Sequence, residues 1–109
     1  FLHVEAPDES GHEGSIKNKI KAIEDFDKKI VGPIIDGIKK FPEYRILLLP
    51  DHPTPIKLKT HTSDPVPFAI MGTGIKAGNF KRFTESEAVT SPYKLEGKNL
   101  ITFLIGRKI

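Results

Sequence analysis

Tyr44-Arg45-Ile46-Leu47-Leu48-Leu49-Pro50-Asp51-His52-Pro53 is the stretch on which the fold turns. Its first six residues form a nearly unbroken apolar run, the pattern of a strand buried on both faces. The run stops at a proline, and a carboxylate and an imidazole follow at once. A charged side chain directly after buried strand residues needs a partner or solvent. In open parallel sheets, ligands gather beyond the carboxyl ends of the strands. Asp51 and His52 point in different directions along an extended chain, so both reach one ion only if the backbone turns. Pro50 and Pro53 help to fix such a turn.

The same arrangement recurs on either side. Upstream, Phe1 to Glu5 reads as a short buried strand and leads into a polar loop, 6–14, that carries Asp8-x-x-x-His12. Downstream, His61 stands between Thr60 and Thr62. Asp8, His12, Asp51, His52 and His61 together offer the mixed oxygen and nitrogen donors that divalent transition metals favour. Five ligands exceed one four-coordinate site and fall short of two. Each cluster also has a plainer reading. Asp8 can cap the turn at Glu9-Ser10-Gly11, and His61 taken alone is a surface histidine. His3, in mid-strand, reads as a buried structural residue.

Between the first two clusters, Ser15 reads as the N-cap of a helix. Ile16, Ile20, Ile23, Phe26 or Asp27, Ile30, Ile34 and Ile38 recur at helical spacing to about Lys40. Lys17, Lys19, Lys21, Asp25, Lys28 and Lys29 read as the solvated face. Pro33 removes a backbone hydrogen bond inside this pattern and predicts a kink or break. After the Tyr44–Leu49 run comes a long loop, 50–65, holding three of the five ligands; loops of that length inside a small domain are usually functional or disordered. Val66 to Met71 reads as a third strand, Thr84-Glu85-Ser86-Glu87 as a capped start to a short helix, and Lys98 to Ile105 as a last helix burying Leu100, Ile101 and Leu104. The element order is that of an α/β fold, with a partial parallel sheet flanked by helices and raw sheet edges. An exposed edge invites pairing with a second copy, hence a homo-oligomer.

Composition narrows the classes. The chain has 109 residues, 38% hydrophobic and 28% charged, with a net charge of +3 and no cysteine. That suffices for one small domain with a modest core. It excludes thiolate metal sites and disulfide frameworks. The lysines are scattered without interleaved aromatics, so nucleic acid is not an expected partner. No apolar run approaches the ~20 residues that span a bilayer, and no membrane association is expected. Gly72-Thr73-Gly74-Ile75-Lys76-Ala77-Gly78 lacks the phosphate-loop order. No serine sits in a nucleophile elbow, so no catalytic residue is nominated. Phe1 opens directly on a strand-like segment with no basic leader, and the chain reads as a fragment.

Taken jointly, the residues carry a resemblance. His3-Val4-Glu5-Ala6-Pro7-Asp8-Glu9-x-Gly11-His12, Ile30-Val31-Gly32-Pro33, Leu49-Pro50-Asp51-His52-Pro53-Thr54-Pro55 and Thr60-His61-Thr62-x-Asp64-Pro65-Val66-Pro67-Phe68 resemble the C-terminal part of the archaeal-type cofactor-independent (2,3-bisphosphoglycerate-independent) phosphoglycerate mutases. These are metalloenzymes of the alkaline phosphatase superfamily. The resemblance implies that residues 1–109 are the C-terminal portion of an alkaline-phosphatase-like metal-binding domain. It implies that Asp8, His12 and His61 bind one metal ion and that Asp51 and His52 bind a second. Two divalent ions are then the expected cofactors, manganese first, with zinc, cobalt or magnesium as other choices. The family's nucleophilic serine, a further aspartate and the insert domain have no counterpart in this chain. The implied reaction interconverts 3-phosphoglycerate and 2-phosphoglycerate through a phosphoserine in a cytoplasmic enzyme, and the fragment alone is expected to be inactive. The alternatives are a phosphatase or phosphodiesterase of the same superfamily, or a non-catalytic, metal-stabilised binding module.

Overall fold

A computed structural model of the chain describes residues 1–106. The described chain divides into two compact units. The first comprises Phe1–Pro42 and His52–Pro65; the second comprises Glu43–Asp51 and the described chain from Val66 on. The chain is of mixed α/β type.

In the first unit, Phe1 to Glu5 forms no regular element, because a strand persists only with a neighbour to accept and donate its hydrogen bonds. His3 is exposed there, not buried. The expected loop after it is instead a helix, α1 (Ala6–Glu13). Ser10, Gly11 and Gly14 disguise it as a loop, yet its ends are well formed. Pro7 occupies the first turn, Asp8 and Glu9 face the positive end of the helix dipole, and His12 lies in the last turn. Gly14 ends α1 with φ +72°, its amide donating to the Gly11 carbonyl while the Ser15 amide donates to Ser10. That pair of bonds is a Schellman closure, and the left-handed residue in it favours glycine.

Ser15 then caps α2 (Ile16–Phe26), its hydroxyl accepting from the Asn18 amide. The helix does not break at Pro33. A π-helical turn, Asp27–Val31, widens the coil and hands over to α3 (Gly32–Ile38), with the Gly32 amide donating to Asp27, five residues back. The wider turn accommodates Pro33, which stands in the first turn of α3, where a missing N–H costs least. Asp25 receives Lys21 at 2.6 Å and Lys29 at 3.3 Å, one turn away on either side. The expected apolar stripe is present but uncovered. Ile16, Ile20 and Ile23 are 64%, 52% and 53% exposed. Lys19, assigned above to the solvated face, is instead half-buried and donates to the Thr54 carbonyl at 3.1 Å.

In the second unit, β1 (Arg45–Leu48) pairs with β2 (Ala69–Gly72). The pairing is antiparallel, with Ile46 opposite Met71 and Leu47 opposite Ile70, not the parallel one expected. A parallel neighbour needs a crossover that carries the chain back along the strand, usually a helix. The connection here holds no helix among the described residues. β1 is half-buried along its length instead of fully enclosed. Gly72 has φ +123°, and a β-carbon there would strike the Tyr44 carbonyl. Arg45 ties the unit together, its Nε donating to the Thr73 carbonyl at 2.7 Å and its Nη1 to the Leu104 carbonyl at 3.2 Å. A short α4 (Glu85–Ala88) follows, capped by Thr84 as expected. After a 3₁₀ turn comes α5 (Leu100–Leu104). Phe103 of α5 packs edge-on against Phe68, with ring centroids 6.5 Å apart. Leu100 and Leu104 are half-buried, whereas Ile101 is 62% exposed, so only part of the face expected to be buried is covered.

Glu87 departs from the usual capping-box geometry. Its carboxylate passes the helix start and accepts from the amides of Lys81 and Arg82, at 2.9 and 3.0 Å, and from Arg82 Nε at 2.8 Å. The Arg82 side-chain hydrogen bond, followed by the two amides, lowers its pKa from the ordinary 4.5 to about 2. A folded-state pKa below the unfolded value means stabilisation that is complete above about 4.5 and is lost as pH falls toward about 2. The protection factors of the Lys81 and Arg82 amides are therefore expected to fall over that interval, and in Glu87→Gln at neutral pH.

Candidate metal centre

Asp8 and His12 lie four residues apart on α1, hence on one face of it. The segment from His52 to His61 brings the remaining donors of the first unit to that face. His61 Nε2 lies 3.1 Å from Asp8 Oδ1 and 3.1 Å from His12 Nε2. His12 Nε2 lies 3.4 Å from Asp8 Oδ2. The His52 ring stacks on the His61 ring with centroids 3.7 Å apart and planes 33° apart. Asp8, His52 and His61 present one donor atom each within 4.8 Å of one another, a candidate metal site. Two overlapping trios thus share Asp8 and His61. One is completed by His12 through direct contacts, the other by His52 through ring stacking. Asp51 is exposed and belongs to the second unit.

The donor set fits a cation. His12 Nδ1 lies 3.0 Å from the Lys59 carbonyl. A carbonyl can only accept, so neutral His12 carries its proton on Nδ1 and turns the Nε2 lone pair toward His61 and Asp8. Lone pairs and a carboxylate packed this closely repel unless a proton or a cation lies among them. The spacing is also suitable. A tetrahedral shell with ~2.0–2.1 Å metal–donor bonds separates its donors by about 3.3–3.4 Å, close to the 3.1–3.4 Å contacts between Asp8, His12 and His61. The hydroxyl of Thr62, next to His61, is buried with no hydrogen-bond partner.

Three residues that the sequence reading did not single out build this site. Thr54, 5% exposed, donates its hydroxyl proton to Asp8 and lies 3.3 Å from His52 Nδ1. That hydrogen bond is the main reason the Asp8 pKa is lowered; desolvation opposes it, and the nearby histidines reinforce it. Lys59, at φ +54°, is the one described non-glycine residue in the left-handed region. This conformation is uncommon for a side-chain-bearing residue, and it orients the carbonyl that holds His12. Gly11 lets the loop approach. A β-carbon there would meet Thr54 Cγ2 at 2.8 Å and Lys19 Nζ at 2.9 Å, and the Thr54 carbonyl oxygen closer still. The signal in the sequence was the Pro53-Thr54-Pro55 triplet, whose two rings leave Thr54 little backbone freedom.

Residues 1–96 match the model of the Metalloenzyme superfamily. The chain belongs to that superfamily. Divalent metal binding is the property this membership carries. Among relatives of this superfamily chain, a 2,3-bisphosphoglycerate-independent phosphoglycerate mutase of Methanothrix thermoacetophila is 50% identical over 107 residues, covering 96% of the chain and 27% of the relative. One from Methanosarcina mazei is 51% identical over 108 residues, covering 96% and 27%. A probable enzyme of the same name from Geobacter sulfurreducens is 64% identical over 70 residues, covering 64% and 18%. The chain therefore spans about a quarter or less of these relatives. No solved structure gives a significant match. Among the described residues, no helix is long and apolar enough to cross a membrane.

Gly11→Ala is expected to push the 52–61 loop off α1. Overpacking of this kind costs roughly 1–3 kcal/mol, readable as a lower urea midpoint. The same variant should bind divalent metal more weakly, because the donors on α1 and on the loop no longer meet.

Proposed function

We propose that this chain is the C-terminal part of a metal-dependent phosphomutase domain that interconverts 3-phosphoglycerate and 2-phosphoglycerate. The observation that carries the reading is the meeting of Asp8, His12 and His61 donors at 3.1–3.4 Å. It occurs in a chain whose relatives bear the name of that enzyme across nearly its whole length. Asp8, His12 and His61 hold one ion in this proposal. Asp51 and His52 contribute to a second, whose remaining ligands and nucleophilic serine lie on other parts of a longer protein. The uncovered stripe of Ile16, Ile20 and Ile23 supports that division, since an apolar helix face of this length is stable when another surface covers it.

The roles of the residues follow from their chemistry. Bound in pairs, divalent ions supply charge stabilisation to the attacking and departing oxygens of a phosphoryl group. The Thr54 hydroxyl lowers the Asp8 pKa from its ordinary value, which favours the charged form of this oxygen donor. His12 is kept with its lone pair on Nε2 by the Lys59 carbonyl. The mixed carboxylate and imidazole set suits manganese, zinc or cobalt better than calcium, and manganese is the proposed ion. The chain has no serine poised on a strand-to-helix elbow, so transfer to and from a serine requires the rest of the domain. A second copy pairing along the edge of the β1–β2 sheet, and a cytoplasmic location, belong to the same proposal.

Two measurements test it. In the full-length enzyme, Asp51→Ala and His61→Ala should each lower the bound metal and reduce turnover of 3-phosphoglycerate by several orders of magnitude; undiminished turnover in both variants would defeat the assignment. The 109-residue chain itself should show no mutase turnover with manganese present. Its melting temperature should nevertheless rise on adding manganese or zinc and fall again with chelator, since a ligand of the folded state stabilises it by mass action.

A further inference from the structure

We propose that Thr54 is a positioning residue that ties the two proposed ligand groups together, fixing the His52 tautomer with one end of its hydroxyl and the Asp8 carboxylate with the other. The inference rests on the metal-centre reading and assigns a role to a residue outside the five ligands.

The argument is one of proton accounting. A threonine hydroxyl has one proton and two lone pairs. Thr54 Oγ1 is in hydrogen-bond contact with Asp8 Oδ1, and an ionised carboxylate only accepts, so the single proton goes to Asp8. The same oxygen lies 3.3 Å from His52 Nδ1, and with its proton committed it can only accept there. His52 Nδ1 also lies 3.4 Å from the Pro53 carbonyl, another pure acceptor. Both neighbours therefore demand a proton on Nδ1, which leaves the lone pair of neutral His52 on Nε2. The relay runs His52 Nδ1–H to Thr54 Oγ1–H to Asp8 Oδ1. His12 reaches the same tautomer independently through the Lys59 carbonyl. Partners of this kind, one step behind the ligands, set ring orientation and typically account for about 10- to 100-fold in metal affinity.

Thr54 is placed for this task by more than its hydroxyl. It is one of the few buried polar residues described, at 5% exposure. Its carbonyl is held by Lys19 Nζ at 3.1 Å, and its methyl and backbone lie against Gly11. The side chain has little freedom to turn away. A serine keeps the relay; a valine keeps the shape and removes it.

The test uses the 109-residue chain with cobalt(II) as the probe, read by its visible absorption bands. Thr54→Val should weaken cobalt binding by about 10- to 100-fold and alter the bands, whereas Thr54→Ser should stay within a few-fold of the parent. Unchanged affinity in Thr54→Val, or equal losses in both variants, overturns the inference. Nitrogen-15 NMR of the metal-free parent chain at alkaline pH decides independently of any variant's ability to fold. His52 should carry its proton on Nδ1, and a proton found on Nε2 overturns the inference. A parent chain that takes up no cobalt would sink the metal-centre reading, while a proton on His52 Nε2 would still overturn the role of Thr54.

Discussion

The contact between Gly11 and Thr54 is the constraint on which the rest of the first unit depends. α1 and the 52–61 loop are distant in sequence, and each alone presents only part of a ligand set. They meet because one of the few buried positions on the helix has no side chain and the residue facing it is held rigid between two prolines. The approach is close enough that a single added carbon would prevent it. Lys19, one turn into the next helix, closes the contact from the other side through the Thr54 carbonyl. Together these place the hydroxyl of Thr54 on Asp8 and bring His61 within reach of both Asp8 and His12.

That assembly stores an electrostatic conflict. Three imidazoles and a carboxylate are packed against one another; the Lys59 carbonyl faces His12 Nδ1, and the Thr54 hydroxyl and Pro53 carbonyl face His52 Nδ1. Protons delivered to backbone carbonyls are unavailable to soften repulsion among the inward-facing nitrogens. The arrangement found here suits an ion that supplies positive charge at the centre, which is the chemistry that membership of the Metalloenzyme superfamily carries.

Apolar side chains are sparsely covered among the described residues. No aliphatic or aromatic side chain among the described residues is fully buried, and the isoleucine face of α2 is open. Hydrophobic burial normally dominates the stability of a domain. Here local devices do much of the work: the Schellman closure at Gly14, the Ser15 and Thr84 caps, the Arg45 tie between strand and helix, and the carboxylate of Glu87 gathering two amides.

Much was legible in the residues themselves. Ser15 and Thr84 announced their helices because capping is a short-range hydrogen bond between neighbours. The strand at Arg45–Leu48 was visible as a run of adjacent apolar residues. The five donor residues were visible as types, and the resemblance of the chain as a whole was borne out by relatives named 2,3-bisphosphoglycerate-independent phosphoglycerate mutase. The α1 helix was not legible, since its glycines and serine favour loops and its formation rests on end effects and on packing against Thr54. The antiparallel direction of β2 was hidden because strand pairing is a long-range choice that a local pattern cannot encode. His3 and the α2 isoleucines read as buried because periodicity reveals which residues share a face and is silent on whether anything lies against it. The sequence by itself thus determined the donor chemistry and the helix boundaries that depend on neighbours. Only the tertiary structure decided which donors meet and which tautomers they adopt, because hydrogen bonds between residues some 46–53 positions apart exist only after the chain has folded back on itself.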